Sequence, residues 1–265
     1  MHGSALLSLK DVRKTFTTGL ADARPALDGL SLDLAPGDFV LVIGSNGAGK
    51  STLLNAVAGA IRVDSGSVTL DGRDITHMAE YQRAGLIARV FQDPMAGTAA
   101  AMTVEENLAL AERRGKSHRW VPNLDAARRA RYRELLAGLH LGMETRLATP
   151  VAQLSGGQRQ SLSLVMAVVS TPRLLLLDEH TAALDPRTAA LVMQATVEAI
   201  ASHGLTALMV THNMRQAIQY GNRLLMMDAG RVRLDVSGTE KAALTTEELV
   251  QRFHLTDDRL LLAGA

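Results

Sequence analysis

The chain has 265 residues with 28 Lys and Arg against 27 Asp and Glu, and 47% of it is hydrophobic, as in a folded, enzyme-sized unit with a sizeable core. A formal charge of +1 supplies no broad positive field for a nucleic-acid backbone, and 3% aromatic content leaves few stacking platforms, so direct binding of nucleic acid is not expected. Zero cysteines exclude disulfides and thiolate metal sites; no apolar stretch reaches the roughly 18–20 residues that cross a bilayer, since residues 162–177 are broken by Ser, Thr, Pro and Arg.

The opening MHGSALLSLK lacks the basic, apolar and cleavage regions of a secretion signal, which leaves the cytosol as the default location. Residues 6–16 and 26–38 then alternate apolar and polar side chains, the pattern of two antiparallel strands with one solvated face. Phe16 ends the first run, where its ring serves either the core or a stacking contact with a nucleotide base. After the Pro36-Gly37-Asp38 turn, residues 39–43 are apolar without alternation, as in a parallel strand covered on both faces.

That strand runs directly into a turn of fixed spacing. Gly44, Gly49, Lys50 and Ser51 fit G-x-x-x-x-G-K-[ST], with helix expected from Ser51 onward. In such a loop the backbone N–H groups of Gly44, Ser45, Asn46, Gly47, Ala48 and Gly49 surround phosphate oxygens, and the helix start adds its positive end. Lys50 carries charge to the β and γ phosphates, Ser51 offers its hydroxyl to Mg²⁺, and Thr52 belongs to the same nucleotide-facing set. A dinucleotide-binding loop would carry G-x-G-x-x-G without the Gly-Lys-Ser ending, so this segment reads as a P-loop.

Further on, residues 65–75 predict a hairpin through Asp71-Gly72. Residues 86–93, LIARVFQD, read as an apolar strand ending in Gln92, whose amide is either solvated or within reach of a metal ion or a water near the γ phosphate. From 94 to 154 the apolar spacing becomes helical, which suggests an inserted helical subdomain; Arg128, Arg129, Arg131 and Arg133 are spread around one helix rather than along one stripe, which favours a solvated face over a lipid-head or partner patch. Residues 174–179, LLLLDE, form another buried strand with two carboxylates at its end. Asp178 is suited to hold Mg²⁺ through its water shell and Glu179 to polarise a water for in-line attack on a γ phosphate. Residues 205–210 predict one more strand, ending at Thr211-His212, where the histidine is either structural or a donor to the γ phosphate. A hairpin through Ala229-Gly230 and a polar helix over 245–253 complete the chain.

The order of these motifs resembles the nucleotide-binding subunit of ATP-binding cassette transporters over nearly the whole length. By that resemblance residues 44–51 correspond to Walker A, Gln92 to the Q-loop, residues 154–158 (LSGGQ) to the family signature, Asp178 with Glu179 to Walker B and its catalytic carboxylate, residues 183–185 with Asp185 to the D-loop, and His212 to the switch histidine. Phe16 falls where the family stacks adenine. The implied fold is α/β: a P-loop NTPase (RecA-like) core with a parallel sheet, an N-terminal antiparallel β subdomain and an inserted α-helical subdomain. One cassette is divided into residues 1–92, residues 93–170 with the signature, and residues 171–265 with Walker B.

The implied cofactors are ATP and Mg²⁺. The implied partners are a second copy, an integral membrane permease and an extracytoplasmic solute-binding protein, with the chain on the cytoplasmic side of the membrane. Ser155, Gly156, Gly157 and Gln158 begin a helix, a second anion-type site with N–H donors. In the family two subunits pair head to tail, so that this signature closes over the partner's P-loop ATP. Ser161 and Met166 stand where many members carry arginine, and His180 where proline commonly follows the catalytic glutamate. DEHTAALDP and VFQDPMAGTAAAMTVEENLAL are similar to a bacterial importer group, which suggests uptake of an amino acid-like solute. The alternatives are an exporter or lipid-transport ATPase, or a soluble cassette acting on nucleic acid or ribosomes.

Overall fold

The computed structural model describes residues 5–17, 25–116, 125–140 and 142–252; the first four residues of the chain and Phe253 of the expected last helix lie outside them. The chain falls into two compact units, Met1–Glu80 with Thr206–Ala265, and Tyr81–Leu205. No described helix is long and apolar enough to cross a membrane.

In the first unit, β1 (Leu7–Thr15) pairs antiparallel with β2 (Pro25–Leu34), Leu7 opposite Leu34, as the alternating pattern predicts. Leu7, Leu9 and Val12 are at most 1% exposed while Lys10 and Asp11 face solvent, so alternation marks the face that is buried. β3 (Phe39–Gly44) is buried at every residue. Its neighbours in this unit are β8 (Thr206–Val210) and β9 (Arg223–Asp228), both parallel to it, which explains the absence of alternation. Helix α1 (Lys50–Ala58) follows β3 after the glycine-rich turn.

Both expected hairpins are present. Asp71 and Gly72 have φ of 52° and 75° and join β4 (Ser65–Leu70) to β5 (Arg73–Asp74). Ala229 and Gly230, at 45° and 75°, join β9 to β10 (Arg231–Ser237). Two consecutive positive φ values are the mark of a type I′ turn, whose twist matches that of the strands. Lys241, 4% exposed on α8 (Gly238–Ala243), donates to the carbonyls of Ile218, Tyr220 and Gly221 at 2.7, 2.7 and 3.1 Å. It thereby caps the end of α7 (Met214–Gln219), the helix that follows His212.

In the second unit, α2 (Glu80–Arg83), which begins at the boundary, leads to β6 (Ile87–Val90), and β6 runs parallel to β7 (Leu174–Asp178) with Val90 opposite Leu177. Between these strands come α3 (Val104–Glu112), α4 (Ala126–Ala137) and α5 (Gly156–Val168), and α6 (Pro186–His203) follows β7. Helical spacing in this region is therefore realised, with one change of emphasis. Arg128, Arg129 and Arg131 are not simply solvated: they pair with carboxylates of α3, Arg129 with Glu105 at 2.8 Å, and Arg131 and Arg128 with Glu112 at 2.5 and 3.9 Å. Tyr132 donates to Glu112 at 2.7 Å from beneath them.

Candidate functional site

The turn after β3 gathers residues 44–52 at the carboxyl end of a buried strand. Ser45 is half-buried, Asn46 and Gly47 are exposed, and Gly44, Ala48, Gly49 and Lys50 are buried. Gly49 caps α1 at φ 100°, and a Cβ there would collide with the Ala26 carbonyl, so both backbone and space demand glycine. The Gly49 cap offers no side-chain hydrogen bond to the first turn of α1. Lys50 is 5% exposed, and its ammonium donates to the carbonyls of Gly44 at 2.8 Å and Ser45 at 2.9 Å. The cation is thus held against the loop that it closes. Ser51 is exposed and Thr52 half-buried on the first turn of α1.

The same unit brings His212 to a neighbouring strand end: Val210 of β8 lies opposite Val42 of β3, and the Thr211 amide donates to the Val42 carbonyl at 3.1 Å. His212 is exposed in the next position. Asn213 caps α7 and Thr211 donates to Gln216 at 3.1 Å, so both neighbours of the histidine are engaged. Phe16 is 46% exposed just beyond β1, with Lys14 Nζ 5.5 Å from its ring centre. Of the two expected places for this ring, the core is excluded.

In the second unit, the parallel register of β6 and β7 brings the Gln92 segment beside the carboxylate pair. Gln92 itself is exposed, two residues past β6, and the Gln160 amide of α5 donates to the adjacent Phe91 carbonyl at 3.2 Å. Asp178 ends β7 and is largely covered. Glu179 follows at φ 46°, the left-handed region that few side-chain-bearing residues adopt. His180 is 1% exposed, and burial pushes its imidazole down to about 4, so the ring is neutral near pH 7.

One further residue belongs to this site, and no sequence motif announces it. Arg89, within the strand read as apolar, places Nη2 2.6 Å from Asp178 Oδ2, with the two side chains 12% and 15% exposed. Its guanidinium also lies over the Phe91 ring, 4.7 Å from the centre. A basic residue inside an otherwise apolar strand is the signal that would have revealed it, because such a cation needs a buried partner. Arg89→Ala leaves a mostly covered carboxylate without this counter-ion and is expected to cost roughly 1–3 kcal/mol in denaturant melts.

The signature segment opens α5 through a capping box. Ser155 Oγ accepts from the Gln158 amide at 3.3 Å, and Gln158 Oε1 accepts from the Ser155 amide at 3.1 Å. Each side chain thereby satisfies the other residue's backbone N–H, while the N–H groups of Gly156 and Gly157 at the helix start are left as donors. A Cβ on Gly157 would run into Thr188 of α6, so the second glycine serves close packing as well. Asp185 caps α6, accepting from the Thr188 amide at 3.1 Å, and the Thr188 hydrogen bonds hold its carboxyl below the usual range. Of the departures noted above, Ser161 bonds back to the Gly157 carbonyl at 2.9 Å and Met166 is buried.

Residues 27–182 match the family described as ABC transporter. The chain is 46% identical over 251 residues to a tyrosine transport ATP-binding protein of Clostridioides difficile, covering 94% of this chain and 98% of that one. It is 36% identical over 231 residues to the methionine import ATP-binding protein MetN of Rhizobium etli, covering 86% of this chain but only 60% of that longer one. Among solved structures, a dimeric post-hydrolysis ATP-binding cassette bound to ADP and Pi is similar at TM-score 0.74 and 28% identity, over 87% of this chain and 98% of that one. An ATP-binding cassette of an ABC transporter is similar at TM-score 0.78 and 27% identity, over 95% and 99%.

Proposed function

Because this chain belongs to the ABC transporter family of ATP-binding proteins and ATPases, we propose that it energises a separate integral membrane permease that imports a small, amino acid-like solute. The near-full-length match to a tyrosine transport ATP-binding protein carries that reading. An extracytoplasmic solute-binding protein delivers the solute, and the chain works on the cytoplasmic side of the membrane, attached through the permease. Residues 1–92 serve as β subdomain and P-loop core, 93–170 as the signature-bearing helical subdomain, and 171–265 as the Walker B core with the C-terminal region.

The donor chemistry fits the group to be bound. Gly44, Ser45, Asn46, Gly47, Ala48 and Gly49 present a glycine-rich turn to phosphate, and Ser51, Gln92 and Asp178 offer hard oxygens of the kind Mg²⁺ prefers beside phosphates and water. Bound with Mg²⁺, ATP supplies the transferable γ-phosphoryl group. Lys50 neutralises charge on the β and γ phosphates, and Thr52 adds a hydroxyl to the same helix start. Phe16 stacks on the adenine ring. Glu179 accepts a proton from the attacking water, and His212 donates to the γ phosphate and registers its presence. Ser155, Gly156, Gly157 and Gln158 of a second copy close over the nucleotide with their helix start, and Asp185 lines the same junction. Two such copies in head-to-tail symmetry hold two ATP.

The assignment is tested by purifying the tagged chain from detergent-solubilised membranes. A hydrophobic permease is expected to co-purify, with ATPase activity rising when the cognate binding protein is loaded with an amino acid. Recovery of ribosomes or DNA with no permease would contradict it.

A further inference from the structure

His180 stands where the resemblance expects proline, and the structure gives the ring one specific bond. Its Nε2 lies 3.0 Å from Thr196 Oγ1, midway along α6. Thr196 donates its single hydroxyl hydrogen to the Val192 carbonyl at 2.8 Å, so toward the ring it can only accept. Nε2 therefore carries the proton, and Nδ1 is left as a buried acceptor with no hydrogen-bond partner among the described residues. An unsatisfied buried acceptor works against folding. An apolar residue would fill the space without that cost, so stability alone does not account for the imidazole.

What the bond holds is the residue after Glu179. Glu179 at φ 46° depends on its surroundings to stay in that conformation, and the contacts beside it include the Ala182 amide, donating to the Glu179 carbonyl at 2.9 Å, and the His180 anchor. The same helix that receives His180 begins at the Asp185 cap and packs Thr188 against Gly157 of α5. One rigid helix thus touches the signature segment, the D-loop segment and the loop that carries Glu179.

We propose that the His180–Thr196 hydrogen bond is a positioning contact that keeps the Glu179 carboxylate in its reactive placement and makes that placement follow α6. It rests on the reading of Glu179 as the group that polarises the attacking water. Thr196→Val removes the acceptor and keeps the shape, whereas Thr196→Ser keeps the hydroxyl. Thr196→Val is expected to lower kcat roughly 10- to 100-fold with KM for ATP within about twofold, and Thr196→Ser to restore near-native kcat. Should Thr196→Val not fold, the double variant His180→Leu, Thr196→Val removes both polar partners together and is expected to show the same loss of kcat. Native kcat in Thr196→Val, equal losses in the Val and Ser variants, or a rise in KM matching the fall in kcat would overturn the proposal. Native turnover in Glu179→Gln would instead remove the reading beneath it, a separate and distinguishable result.

Discussion

Glu179→Gln is expected to lower ATP turnover by roughly 10²–10⁴-fold while leaving ATP affinity within about twofold. The amide keeps the size and hydrogen-bonding reach of the carboxylate but cannot take a proton from water. The phosphate contacts proposed for residues 44–52 belong to the other compact unit, so the two effects are expected to separate. The half-buried carboxylate follows directly on β7, in a left-handed backbone conformation and beside an anchored histidine, an arrangement suited to one fixed direction of approach. Single-turnover hydrolysis together with equilibrium nucleotide titration measures both quantities; an unchanged rate would remove Glu179 from the proton-accepting role.

Lys50→Ala is expected to act on binding instead, weakening ATP affinity roughly 10- to 100-fold. That range corresponds to a charge-assisted hydrogen bond of about 1.5–3 kcal/mol. In this chain the lysine has a second task, since its ammonium spans the Gly44 and Ser45 carbonyls within the loop. Lys50→Arg retains charge but not the compact geometry, and is expected to recover only part of the affinity. Isothermal titration with a non-hydrolysed ATP analogue checks both variants, and native affinity in Lys50→Ala would exclude the phosphate contact.

The legible parts of this molecule are those whose chemistry is local. The P-loop needs its glycines, lysine and serine within eight residues, so spacing alone exposes it. Asp71-Gly72 and Ala229-Gly230 announce their hairpins because few residues tolerate the required φ. The unalternating run at 39–43 reports cover on both faces without naming the neighbouring strands. Arg89 was hidden for the opposite reason: its partner Asp178 is 89 positions away and reaches it only through the β6–β7 register. The arginines of α4 read as a solvated face because periodicity within one helix says nothing about the carboxylates of another. His180 was visible as a departure, but its bond to Thr196 depends on how β7 and α6 pack. Phe16 shows the middle case, where the sequence left two environments open and exposure removes one.

Each nucleotide site is proposed to be half of a composite, completed by the signature of a second copy. The most direct test is the mass of the Glu179→Gln chain by light scattering, with and without Mg²⁺ and ATP. A monomer is predicted without nucleotide, and a particle of twice the mass holding two ATP with it, the doubling abolished by Gly156→Arg in the signature helix start. A monomer at saturating Mg²⁺ and ATP, or a dimer indifferent to that substitution, would contradict the composite site.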